Sequence, residues 1–170
     1  MGNCCEEPKR EAQNESAASH ALCPRCGATG RVVGDAPIQA LLIPGQAGSL
    51  LFVERRFCKT PTCDVLYYGA DGRFVGKTAA VVRVGLKETA DPIPLCYCFD
   101  FARADVRREV AATGACSIPA QITAEVRAGR CACETRNPSG VCCLGEVNKA
   151  VKEAMSAPRD LLSPAAEELL

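Results

Sequence analysis

Thirteen cysteines stand in a chain of 170 residues, and most of them fall in short, ordered spacings. Cys23-Pro24-Arg25-Cys26-Gly27 sets two thiols two residues apart in a tight-turn sequence. A turn of that kind points both sulfurs at one ion, and the small Gly27 lets backbone amides face them. Closed tetrahedral sites need two more ligands. Cys58 and Cys63, separated by the turn sequence Lys-Thr-Pro-Thr, can supply them. A structural zinc ion held by Cys23, Cys26, Cys58 and Cys63 is therefore expected, with no open position for water and hence no catalysis there. A single iron is the alternative soft metal; four buried free thiols would be the reading without any ion.

A second set follows: Cys96-Tyr97-Cys98, Cys131-Ala132-Cys133 and the vicinal pair Cys142-Cys143. Six thiols are more than one site needs. A 2Fe–2S cluster takes two thiolates on each iron. Its anionic charge suits helix N-termini, which present unpaired amides and partial positive charge. Asn137-Pro138-Ser139-Gly140 predicts a turn that returns the chain from Cys133 toward Cys143. A second zinc is the alternative for these thiols.

Such sites require reduced cysteines. Residues 1–20 are nearly all polar, without the apolar stretch of a secretory leader, and an odd cysteine count suits a disulfide framework poorly. The expected location is cytoplasmic. No apolar run reaches the length of a membrane span; residues 41–52 are broken by Pro44, Gly45, Gln46, Gly48 and Ser49. The opening Met-Gly-Asn-Cys-Cys has Glu6 where an acylation signal has Ser or Thr. Net charge is zero with no basic stripe, so nucleic acid is not an expected partner. The single histidine, His20, stands alone in the polar segment, where a catalytic role is not expected, and no glycine loop has the setting that cradles phosphate. No catalytic residues stand out, and the chain reads as a metal-binding protein rather than an enzyme. Cys116, between two predicted helices, reads as a small core residue, and Cys4-Cys5 as part of a solvated tail.

The elements that must position these thiols change character along the chain. Residues 1–20 and 157–170 read as disordered or flexible tails. Residues 21–90 read as strands and turns: an apolar run at 50–57, the β-branched and aromatic DVLYY at 64–68, and an Asp71-Gly72 turn leading to 73–75. Residues 81–84 can add a short strand, and the apolar spacing of 35–43 suits a short helix. Residues 91–156 read as helical. Val106 and Val110 lie four apart before a Gly114 C-cap. Ser117 is a candidate N-cap, with Pro119 in the first turn and Ile118, Ile122 and Val126 on one side. Residues 144–155 predict a third helix. The fold class is therefore α+β: a small β-rich zinc-binding lobe at 21–90, then a small helical 2Fe–2S-binding lobe at 91–156.

At these residues the chain resembles a known family. The stretch ITAEVRAGRCACETRNPSGVCCLG, following Cys96-Tyr97-Cys98, is similar to the 2Fe–2S helical domain of bacterioferritin-associated ferredoxins. It is still more similar to the N-terminal part of CopZ-type copper chaperones, which carry zinc and a 2Fe–2S cluster together. The resemblance begins at Cys23-Pro-Arg-Cys26 and takes in residues 58–68 and 96–151. It implies zinc ligands Cys23, Cys26, Cys58 and Cys63, and cluster ligands Cys96, Cys98, Cys133 and Cys143. No Met-x-Cys-x-x-Cys copper motif follows Cys143, and Cys131 is an additional thiol. The expected function is single-electron transfer in copper or iron handling. The implied partners are a separate copper-binding chaperone domain or a metal-transporting ATPase. A metal-stabilised interaction module and a cluster-based sensor are the competing readings.

Overall fold

The computed structural model describes residues 22–50 and 54–157. The predicted N-terminal tail with Cys4, Cys5 and His20, almost all of the C-terminal tail, and part of the apolar run at 50–57 lie outside the described residues.

Four strands form an antiparallel sheet in sequence order: β1 (Arg31–Val33), β2 (Arg55–Phe57), β3 (Val65–Gly69) and β4 (Phe74–Gly76). Phe57 sits opposite both Arg31 and Tyr67, and Tyr67 opposite Val75. β3 is β-branched and aromatic, which suits a pleated surface, and all five of its residues are buried. Asp71 and Gly72 make the β3–β4 turn: Gly72 takes φ +81°, and the Asp71 carboxylate accepts the Arg73 N–H at 3.1 Å. A register shift between Val65 and Tyr67 interrupts the two-residue alternation of β3. Leu66 and Tyr67 both pack in the main core of this half, with Val33, Ile38, Leu42, Leu50, Phe57, Val75 and Val84. Val65 and Tyr68 pack instead with Cys23, Cys58 and Cys63. The apolar spacing at 35–43 resolves as the helix α1 (Asp35–Leu41).

The strand expected at 81–84 does not form. Ala80 makes an isolated bridge with Leu42, and the Val81 N–H bonds the Leu41 carbonyl at 2.8 Å. The chain then enters a single 3-10 turn, Gly85–Lys87. Bonding to the end of α1 takes this backbone away from the sheet edge.

The helical half opens with a two-stranded hairpin, β5 (Pro94–Cys96) and β6 (Phe101–Ala102). It continues through α2 (Arg103–Thr113), α3 (Ile118–Arg127), the one-turn α4 (Cys133–Arg136) and α5 (Leu144–Ser156). Asp105 accepts the Ala102 N–H at 2.8 Å, and Gly114 closes α2 at φ +73° with its N–H on the Val110 carbonyl. Ser117 precedes α3 as expected but makes no side-chain cap. Its N–H goes to the Glu109 carboxylate, and its hydroxyl accepts the Gln121 amide. Val106, Ile122 and Val147 are fully buried in one core with Val110, Ile118, Ala150 and Ala154. The two alanines of α5 leave room for its neighbours at close range.

The halves meet where α4 packs on α1, with the following Gly140 beside Val33 and Pro37. The observed class is α+β, as the sequence predicts.

Because Ile122 has no exposed surface, Ile122→Ala is expected to cost about 2–5 kcal/mol of stability. Ile43→Ala, at an exposed position, should stay within about 0.5 kcal/mol. Denaturant titration of the metal-loaded protein checks both values.

Candidate metal centres

The first site begins as a turn. Leu22 bridges Thr29, the Cys23 N–H bonds the Ala28 carbonyl at 2.9 Å, and the Gly27 N–H returns to the Cys23 carbonyl at 2.9 Å. Gly27 holds φ +69°, a conformation that favours glycine. The Tyr68 hydroxyl accepts the Gly30 N–H at 2.8 Å and so fixes this turn to β3. Opposite, Cys58 follows β2 with its N–H on the Leu66 carbonyl, and the Cys63 N–H bonds the Thr60 carbonyl.

These segments bring the sulfurs of Cys23, Cys26, Cys58 and Cys63 within 4.8 Å of one another. Cys23 to Cys63 is 3.9 Å and Cys26 to Cys58 is 3.7 Å. A tetrahedron with zinc–sulfur bonds near 2.3 Å has edges of about 3.8 Å. The donor set and its dimensions therefore fit zinc. Cys23, Cys58 and Cys63 are buried, whereas Cys26 is exposed. Burial pushes the Cys23 thiol up to about 12 and raises that of Cys63. Cys26 is lowered to about 6, chiefly by the Thr60 hydroxyl 3.2 Å from its sulfur. Backbone amides of Arg25 and Cys26 act on the Cys23 sulfur and favour its anion.

Lys87 is the residue at this site that the sequence reading missed. Only 4% of it is exposed, and its ammonium donates to the Thr60 carbonyl at 2.9 Å and the Cys63 carbonyl at 2.8 Å. It also lies over the Phe57 ring, 5.9 Å from the centroid. A buried cation thus closes the loop that carries Cys63 and Thr60. One lysine in a Gly-Leu-Lys turn carries no signal of this in sequence.

The second set gathers differently. Cys96 ends β5 and Cys143 immediately precedes α5; both are buried, with sulfurs 3.0 Å apart. Cys98 is half-buried, and its sulfur lies 3.6 Å from that of Cys133, the first residue of α4. The four thus form two close pairs. Among the described residues, the first site is the one group of three or more metal-type ligands drawn together within 4.8 Å. The Ala132 N–H donates to the Cys98 sulfur at 3.2 Å. The Cys143 thiol, donating to Cys96, lowers Cys96 to about 6, and the amides of Phe99 and Cys98 add to this. That same shared proton, with burial, raises Cys143. Burial raises Cys133 to about 12, against the Cys143 amide, which lowers it.

Of the other thiols, Cys131 is half-buried and Cys142 exposed. Cys116 packs at the edge of the helical core with its sulfur 3.4 Å from the Glu109 carboxylate. The eleven described cysteines include no disulfide.

Residues 20–81, which contain all four cysteines of the first site, match a family model described as the zf_CopZ zinc binding domain. The fold as a whole is similar to the X-ray structure of the Archaeoglobus fulgidus CopZ N-terminal domain. That likeness has a TM-score of 0.62 and 26% identity, and covers 75% of this chain and 95% of that one. No protein of curated function matches this chain. Four gathered cysteines inside a segment similar to a zinc binding domain make this a metal-binding protein, with zinc as the supported ion. Among the described residues, no helix is long and apolar enough to cross a membrane.

Lys87→Met should loosen zinc, because groups that orient ligands typically change metal affinity by about 10–100-fold. Transfer of zinc to a coloured chelator is expected to speed up accordingly, with Lys59→Met, between Cys58 and Cys63 but exposed, as the control.

Proposed function

We propose that this chain is a single-electron carrier in copper or iron handling. In this reading, Cys23, Cys26, Cys58 and Cys63 hold zinc in a lobe spanning 21–90. Cys96, Cys98, Cys133 and Cys143 hold a 2Fe–2S cluster in a helical lobe spanning 91–156. The observation that carries it is the pairing of the second four sulfurs, Cys96 with Cys143 and Cys98 with Cys133. Two thiolates for each iron is the donor pattern of such a cluster, whereas one zinc needs four sulfurs around one point. When bound, the cluster supplies exchange of one electron at a time.

The residues around the pairs suit that role. Burial of Cys96 and Cys143 keeps water from one pair, while the half-buried Cys98 leaves the other near the surface. Amides of Phe99, Ala132 and Cys143 act on the sulfurs and offset added negative charge. Clustered cysteines in metal-binding spacings support work in a reducing compartment, the cytoplasm. The likeness to a CopZ N-terminal domain supports copper as the handled metal. The partner would be a separate copper-binding chaperone domain or a metal-transporting ATPase.

Protein produced with both metals available should contain one zinc and two irons per chain. Cys133→Ala should bleach the visible absorption while Cys131→Ala leaves it nearly intact, and Cys143→Ala should bleach it while Cys142→Ala does not. Dithionite-reduced protein mixed anaerobically with copper(II) is expected to yield one copper(I) per chain, trapped by a specific chelator, with zinc unchanged. A chain that binds iron yet leaves copper(II) and iron(III) unreduced would sink the carrier role and favour an interaction module. Loss of iron with zinc retained in Cys23→Ser would overturn the division of ligands.

A further inference from the structure

Two tyrosine hydroxyls join the segments that bear the second cysteine set to the half that bears the first. Tyr97 is the residue between Cys96 and Cys98. Its hydroxyl accepts the Gly85 N–H at 2.9 Å and donates to the Arg83 carbonyl at 3.1 Å. Gly85 opens the 3-10 turn Gly85–Lys87, and Lys87 at its other end holds the Thr60 and Cys63 carbonyls. The turn lies hard against β5: a Cβ on Gly85 would fall 1.9 Å from the Pro94 carbonyl oxygen. One three-residue turn therefore carries the strand leading to Cys96 at one end and the loop of the zinc site at the other.

The second junction runs the opposite way. Tyr67 is fully buried on β3, four residues after Cys63, and its hydroxyl donates to the Pro138 carbonyl at 2.7 Å. Pro138 belongs to the turn between Cys133 and Cys143. Asn137 ties that turn together internally, donating to the Val141 carbonyl and accepting from the Ser139 N–H and hydroxyl. A rigid turn anchored to β3 fixes the spacing of the two cysteines that flank it.

We propose that Tyr67 and Tyr97 are positioning residues that couple the two metal centres, so that zinc in the first site keeps the cysteines of the second in ligating geometry. This rests on the zinc and 2Fe–2S assignment above. The coupling is reciprocal: an ion that orders the Thr60–Cys63 loop also orders the Gly85–Lys87 turn and β3, and cluster ligation in turn strengthens zinc binding. Binding couplings of this kind are typically about 5–150-fold.

The test uses the full chain loaded with both metals. Cluster loss to an iron chelator is followed by visible absorbance, with zinc present or stripped, in the wild type, Tyr67→Phe, Tyr97→Phe and the double variant. Phenylalanine keeps each ring and removes only the hydroxyl. In the wild type, zinc removal should accelerate loss. In the variants loss should start faster, and the dependence on zinc should shrink several-fold. The midpoint potential and the electron paramagnetic resonance signal of the reduced variants should also shift, which a loss of general stability would not cause. A wild-type cluster indifferent to zinc, or variants that keep the full zinc dependence, overturns the coupling. A second arm needs no cluster. In zinc-loaded, iron-free protein, alkylation of Cys98 and Cys133 by iodoacetamide should be slow, and zinc removal or either Tyr→Phe change should speed it. A chain that takes up no iron sinks the cluster assignment, and this arm then judges the coupling by itself. If the double variant fails to fold, the two single variants decide.

Discussion

Four sulfurs drawn to within 4.8 Å of one another, three of them buried, cannot all shed their protons without a cation among them. Burial raises Cys23 and Cys63, so apart from metal these groups favour the neutral thiol, while the thiolate is the form that ligates. A divalent ion reverses that balance by supplying charge where water is excluded. Much of the first half follows from this one demand. Its regular strands are short, and its main core is a modest group of side chains around Tyr67 and Phe57. The cysteine cluster with Val65 and Tyr68 acts as a second, smaller core whose contacts depend on the sulfurs staying together.

The surroundings of both sulfur sets answer the same electrostatic problem with backbone and side-chain dipoles. Amides face Cys23, Cys96, Cys98 and Cys133; the Thr60 hydroxyl faces Cys26; the Lys87 ammonium sits on the carbonyls of the loop between Cys58 and Cys63. Such groups do not bind metal themselves. They lower the cost of gathering negative charge in a small volume and hold each sulfur in one orientation. The residues just before α4 and α5 contribute in this way, the Ala132 N–H on the Cys98 sulfur and the Cys143 N–H on that of Cys133.

Sequence pattern revealed what depends on neighbours along the chain. The DVLYY run and the Asp71-Gly72 turn read directly as β3 and its hairpin, and the four-residue spacing of valines and isoleucines read as α2 and α3. The gathering of Cys23, Cys26, Cys58 and Cys63 was legible because their spacing is itself the geometry of two facing turns. What escaped depends on contacts distant in sequence. Residues 81–84 have the composition of a strand, but the end of α1 takes up their bonding. Nothing local marks Lys87 as buried, or separates the tyrosines of β3, of which Tyr67 reaches Pro138 and Tyr68 holds Gly30. α4 is a single turn, too short for any periodicity to appear.

The seating of the 137–140 turn on β3 also bears on how the protein comes into being. A ribosome delivers a chain from its N-terminus, so Cys63 and the whole four-stranded sheet emerge well before Cys143. The early half can close around its own four sulfurs while the later cysteines are still unmade. When the Asn137–Gly140 turn finally appears, the Tyr67 side chain to which it bonds already belongs to a finished surface. The order of the two cysteine sets along the chain is thus also the order in which they are made, and the part made first offers the template on which the turn between the last cysteines is laid.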